Sequence, residues 1–125
     1  MKVSELMKKA IVVDGNISAK EAARIMSEKA IGSLIVIKNE RIAGIITERD
    51  ILKNIDKLGS KLSQIMSKNV ITISPKQSVD EAASTMAENK IKRLPVVEHN
   101  EILGIITATD ILAHSDALNE DFMVE

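Results

Sequence analysis

Displaced by 60 residues against itself, the chain lays Ser18 to Lys53 over Ser78 to Ala113, with 17 of 36 positions identical and no gap. The matches include Glu21/Glu81, Ala22/Ala82, Met26/Met86, Ile31/Ile91, Leu34/Leu94, Val36/Val96, Gly44/Gly104, Thr47/Thr107 and Asp50/Asp110. Upstream the register is 59, setting Ser4-Glu5-Leu6-Met7 on Ser63-Gln64-Ile65-Met66, with one extra residue placed near Pro75. This is a tandem duplication. Two copies of such a period do not suggest a solenoid; each holds half a core, and the two are expected to face each other across a pseudo-twofold axis. The organisation read from this is repeat 1 over residues 1–57, a linker over 58–62 around Gly59-Ser60, repeat 2 over 63–115, and an acidic tail over 116–125 with Phe122 as a docking anchor.

Each copy carries the same signals. A short strand (Ile11 to Val13; Val70 to Ile73) precedes a helix opened by Ser18-x-x-Glu21 or Ser78-x-x-Glu81, both capping-box patterns. Apolar residues at 22, 23, 25, 26 and 30 fall at helical spacing. Two apolar runs then flank a polar tip in each copy, Lys38 to Arg41 and Glu98 to Glu101, which reads as an antiparallel hairpin. A last helix starts after Thr47 or Thr107. The expected class is therefore α+β, two β-α-β-β-α repeats with three-stranded sheets packed against each other and helices outside.

Composition removes several function classes. There is no cysteine, so no disulfide framework, thiol nucleophile or Cys-based metal site. His99 and His114 have no ligand-spaced partner, and no metal site is expected. Lys+Arg number 17 against 18 Asp+Glu, which gives no field toward nucleic acid or an anionic membrane. With one Phe, no Tyr and no Trp, the chain offers almost no ring on which bases could stack, so nucleic acid ranks low as a partner. The apolar runs are strand-length, far below the roughly 20 residues that cross a bilayer, and the N-terminus has no secretory pattern. A cytoplasmic location is the default. No nucleophile triad, Walker loop, GxGxxG or HExxH is present, and no catalytic activity is expected.

The chemistry concentrates at Gly44-Ile45-Ile46-Thr47-Glu48-Arg49-Asp50 and Gly104-Ile105-Ile106-Thr107-Ala108-Thr109-Asp110. Thr at the N-cap and Asp at N3 is a cap in its own right. The same corner also offers a hydroxyl and N–H groups to phosphate, and a carboxylate that can accept two hydrogen bonds from a vicinal diol such as ribose. Both readings stand for these four residues. Gly44 and Gly104 either let a ligand approach the backbone or mark a bulge before the helix, and the paired Met7, Met26, Met66 and Met86 read as core or interface filler.

The doubled Gly-h-h-Thr-x-x-Asp signature (h, apolar), with Ile65-Met66, Val79-x-Glu81-Ala82 and Leu94-Pro95-Val96-Val97, resembles the CBS-domain family over about residues 3 to 115. The resemblance implies an isolated CBS pair that senses an adenosine ligand (AMP, ADP, ATP or S-adenosylmethionine) in a cleft between repeats and signals to a separate protein. In relatives the Asp holds the ribose hydroxyls, the Ser/Thr sits near the phosphates, and a basic side chain at the position of Arg93 faces phosphate. Carried over, one cleft combines Arg93, Thr107 and Asp110 with Ala10, Ile11, Ile31 and Gly32. The other uses Thr47 and Asp50 with Val70, Ile91 and Lys92, and has Ser33 where the first has Arg93. Lys92 and Arg93 also read as solvated edge charges. The resemblance further implies a homodimer joined through exposed helix faces. The rival reading is a ligand-free homodimeric scaffold for protein interaction.

Overall fold

The computed structural model describes the backbone of residues 1–123 and the side chains of residues 1–115, so the anchoring role expected of Phe122 lies outside the described residues. The fold is mixed α+β. In chain order the elements are α1 (Val3–Leu6), β1 (Val12–Asp14), α2 (Ala19–Lys29), β2 (Ser33–Lys38), β3 (Arg41–Thr47), α3 (Glu48–Lys53), a 3-10 turn (Ile55–Lys57), α4 (Leu62–Ile65), α5 (Val79–Asn89), β4 (Arg93–Glu98), β5 (Glu101–Thr107) and α6 (Ala108–Met123). They form two compact units that exchange their leading segments relative to the sequence repeats. One unit is Ile11–Val70; the other joins Met1–Ala10 to the chain from Ile71 onward. The single turns α1 and α4, not expected from the sequence, are these exchanged segments.

In the Ile11–Val70 unit, Ala19, Ala22 and Met26 of α2 pack with Leu34 and Val36 of β2, Ile46 of β3, Ile51 of α3 and Leu62 of α4. In the other, Val79, Ala82 and Met86 of α5 pack with Leu94, Val96, Ile106, Ile73 and Val3. The duplication is repeated in the packing, because Leu34, Val36 and Ile46 have Leu94, Val96 and Ile106 at matched positions. Each large aliphatic side chain buried this way contributes about 1.5–3 kcal/mol relative to exposure. Met26 and Met86 lie inside these cores, as read from their pairing.

The sheets differ. β1 runs parallel to β2, and β2 antiparallel to β3. β4 and β5 make only a two-stranded sheet. The strand expected over Val70 to Ile73 is reduced to one parallel bridge, Ile73 with Val96. The cause is Pro95. Its counterpart Ile35 donates its N–H to the Ile11 carbonyl at 3.0 Å, and proline has no N–H to give. Only the bonds from Ile73 N–H to Pro95 O (3.0 Å) and Val97 N–H to Ile73 O (2.9 Å) remain. The bridges also move the extra residue of the second copy. Lys8 pairs with Ile105 as Ser67 pairs with Ile45, and Ile73 with Val96 as Val13 with Val36, so the insertion lies between Ser67 and Ile73 rather than near Pro75.

Local capping leads the chain into the site. α2 and α5 end on Ala30 and Lys90 in the left-handed region, and the next amides, Ile31 and Ile91, reach back to Met26 and Met86 carbonyls at 3.0 Å. Both helices start on a serine that accepts from the N3 amide. The reciprocal box closes at Ser78/Glu81 and not at Ser18/Glu21, while the next amide of each helix, Val79 or Ala19, reaches the Met1 or Ser60 carbonyl. Both hairpins turn on two residues with positive φ, Asn39-Glu40 and His99-Asn100, as a type I′ turn requires.

Candidate functional site

At the junction of β5 and α6, Thr107 and Asp110 close a full capping ring. Thr107 Oγ1 accepts from Asp110 N–H at 3.1 Å, while Thr107 Oγ1 and N–H both donate to Asp110 Oδ2, at 2.8 and 3.2 Å. The first helical amide, Ala108 N–H, reaches the Lys92 carbonyl at 2.8 Å. Arg93 is the cross-strand partner of Thr107. Its Nε is buried and has no hydrogen-bond partner among the described residues.

A residue that sequence reasoning missed completes this corner. Lys8 is tied to β5 by two backbone bonds with Ile105, at 2.9 and 2.8 Å, and its Nζ lies 2.8 Å from Asp110 Oδ1. The lysine side chain is 73% exposed and the aspartate 7%, so a solvated cation closes over a buried carboxylate. Burial by itself would push the Asp110 carboxyl up. The hydrogen bonds from Lys8 and Thr107, with the Lys8 charge, outweigh burial and hold it below the usual carboxylate value. Lys8 is shifted upward in turn, by its hydrogen bond to Asp110 and by that charge.

Gly104 makes the approach of Lys8 feasible. A Cβ there would stand 2.5 Å from the Lys8 carbonyl oxygen and 3.3 Å from Met7 Sδ. Gly44 serves the same purpose, since a Cβ would stand 2.5 Å from Met66 Sδ and 2.8 Å from the Ser67 carbonyl oxygen. The bulge falls on the residue before each glycine, Ala43 and Leu103, and both glycines have ordinary φ. The bulge is present, and the groups that crowd each glycine belong to another segment of the chain.

The Ile11–Val70 unit repeats the ring without the cations. Thr47 N–H and Oγ1 donate to Asp50 Oδ2 at 2.9 and 3.0 Å, Asp50 N–H returns to Thr47 Oγ1 at 3.3 Å, and Glu48 N–H reaches the Gly32 carbonyl at 3.1 Å. Ser33 stands opposite Thr47 where Arg93 stands opposite Thr107, and Ser67 takes the place of Lys8. The duplication therefore carries one corner whose carboxylate is met by a cation and one whose carboxylate is not.

Of the residues singled out in the sequence, Arg93, Thr107, Asp110, Ala10, Ile91 and Lys92 belong to the unit that includes Met1–Ala10. Thr47, Asp50, Ile11, Ile31, Gly32 and Val70 belong to the other. Direct hydrogen bonds join only the Thr–Asp pairs and, beyond expectation, Lys8. Among the described residues no group of acidic, His or Cys side chains could hold a metal ion, and no helix is long and apolar enough to cross a membrane.

With two such corners at matched positions of a duplicated α+β repeat, comparison with known proteins decides the family. The CBS domain matches residues 3–57 and again 62–117. The chain belongs to the CBS-domain family. Protein MJ1232 of Methanocaldococcus jannaschii is 36% identical over 107 residues, which cover 85% of this chain and 36% of that protein. A homoserine O-acetyltransferase of Methanohalobium evestigatum is 37% identical over 112 residues, covering 87% of this chain and 23% of the enzyme. The chain thus spans between 23% and 36% of these relatives' length. Among solved structures, the CBS domain pair of protein MJ0100, in complex with 5′-methylthioadenosine and S-adenosyl-L-methionine, superposes with a TM-score of 0.88 at 32% identity, covering 94% of this chain and 97% of that one.

Proposed function

We propose that this CBS pair is a cytoplasmic, non-catalytic regulatory module that binds an adenosine-containing ligand at the Arg93–Thr107–Asp110 corner and signals, as a homodimer, to a separate protein. The observation that carries the reading is the buried Asp110 carboxylate held by Thr107 and Lys8, with Arg93 across the strands from Thr107. A carboxylate so oriented suits the two hydroxyls of ribose, and guanidinium and ammonium groups suit phosphate. The complex of the MJ0100 pair with two adenosine compounds supports the ligand class. The Thr47–Asp50 corner, without cations, suits an uncharged or cationic ligand. Signalling requires a ligand that prefers one state of the module, since a tenfold preference shifts an equilibrium by only about 1.4 kcal/mol.

A second reading, an interaction scaffold without ligand, draws on an apolar groove of about 530 Å³ between α2 and α3, lined by Ala23, Met26, Ile31, Ile51 and Leu52, with Leu52 68% exposed. One experiment separates the two. Thermal unfolding of wild type and Asp110→Ala is followed with AMP, ADP, ATP, S-adenosylmethionine, methylthioadenosine, NAD and a GTP control. A ligand at about a hundred times its Kd stabilises the folded state by about 2.7 kcal/mol, several degrees in a domain of this size. A shift in wild type that disappears in Asp110→Ala supports the sensor. An unmoved midpoint across the panel, in folded protein free of co-purified nucleotide, favours the scaffold. Sedimentation that returns only monomer at high concentration removes the homodimer from either.

A further inference from the structure

We infer that Lys8 is a latch on Asp110 that selects the ligand by charge, admitting nucleosides that carry a 5′ anionic group and discriminating against uncharged ones. The inference rests on the adenosine reading above and narrows its ligand class. Asp110 already receives three donors: two from Thr107 on Oδ2 and the Lys8 ammonium on Oδ1. A carboxylate has about four lone-pair sites, and this one is almost closed to solvent. A vicinal diol brings two further O–H donors, best placed one on each oxygen, so one present donor has to leave.

The Thr107 donors are part of the ring that starts α6. Lys8 Nζ sits on a flexible, exposed stem whose backbone stays tied to Ile105. Lys8 is therefore the donor that moves. An uncharged nucleoside gives the displaced ammonium nothing in exchange for its ion pair. A 5′ phosphate offers it a new anion, and Arg93, whose buried Nε lacks a partner, offers the same phosphate a second cation. The exchange is then nearly balanced for nucleotides and unfavourable for nucleosides.

The test is calorimetric titration of wild type, Lys8→Met, Lys8→Arg and Asp110→Ala with AMP and with adenosine as probes. Wild type is expected to prefer AMP by about tenfold or more. In Lys8→Met, adenosine binds more tightly and AMP more weakly, so the preference falls by about tenfold, and Lys8→Arg restores it. Because the side chain is exposed and the backbone bridge does not need it, these variants are expected to fold, which their melting curves check. A preference unchanged within about twofold in Lys8→Met, or equal losses of both probes, overturns the latch. If both probes bind and Asp110→Ala abolishes them while Lys8 has no effect on the preference, only the latch falls. If neither probe binds wild type, the latch falls, and the adenosine site falls with it only if the melting panel above is also unmoved.

Discussion

Asp110 and Asp50 are the same residue of the repeat in two electrostatic settings, and the difference lies in side chains brought in from elsewhere in the chain. Replacing Thr107 by Ala removes the N-cap hydroxyl and is expected to cost about 1 kcal/mol, read by urea unfolding. The lowered Asp110 pKa fixes the sign of a pH effect. The carboxylate stabilises the fold above the unfolded Asp value near about 3.9, and that contribution disappears as pH falls through the lower folded value. The raised Lys8 pKa adds stability below about 10.4, lost as pH rises through its folded value. The stability gap between wild type and Asp110→Asn should therefore be flat between these limits and close below pH 4, as acid unfolding of both proteins will show. Gly104→Ala drives a Cβ into the Lys8 backbone, with an expected cost of about 1–3 kcal/mol and loss of the ion pair.

At the scale of elements, one missing amide explains why the two sheets differ. Pro95→Val restores a donor opposite the Ile71 carbonyl, and hydrogen exchange should find the new amide at 95 protected; free exchange there would refute the explanation. The hairpin tips hold non-glycine residues at positive φ, a conformation that costs an L-residue about 1–2 kcal/mol. Glu40→Gly relieves that cost, partly offset by the greater entropy of unfolded glycine, and is expected to raise the unfolding midpoint slightly. The hairpins and main helices were legible because period-2 and period-3.6 patterns report local geometry. The lost strand was less so, because Val70 to Ile73 reads as a strand until its missing hydrogen-bond partner at Pro95 is considered.

Over the whole molecule, the segment Met1–Ala10 completes the core of the second repeat. Val3 is fully buried there, its N–H reaches the Gln77 carbonyl at 2.8 Å, and Val79 N–H reaches the Met1 carbonyl at 2.9 Å. Deleting residues 1–10 should therefore lower hydrogen-exchange protection in α5, β4 and β5 while β1, β2 and β3 keep theirs; the reverse order would contradict the exchange of segments. A repeat and its caps are written in neighbouring residues, so the duplication, the hairpins, the Thr–Asp rings and the family resemblance could all be read before any fold was known. Lys8 could not. No local spacing relates residue 8 to residue 110; only the folded chain, with Gly104 letting one backbone lie against another, brings that ammonium onto a buried carboxylate.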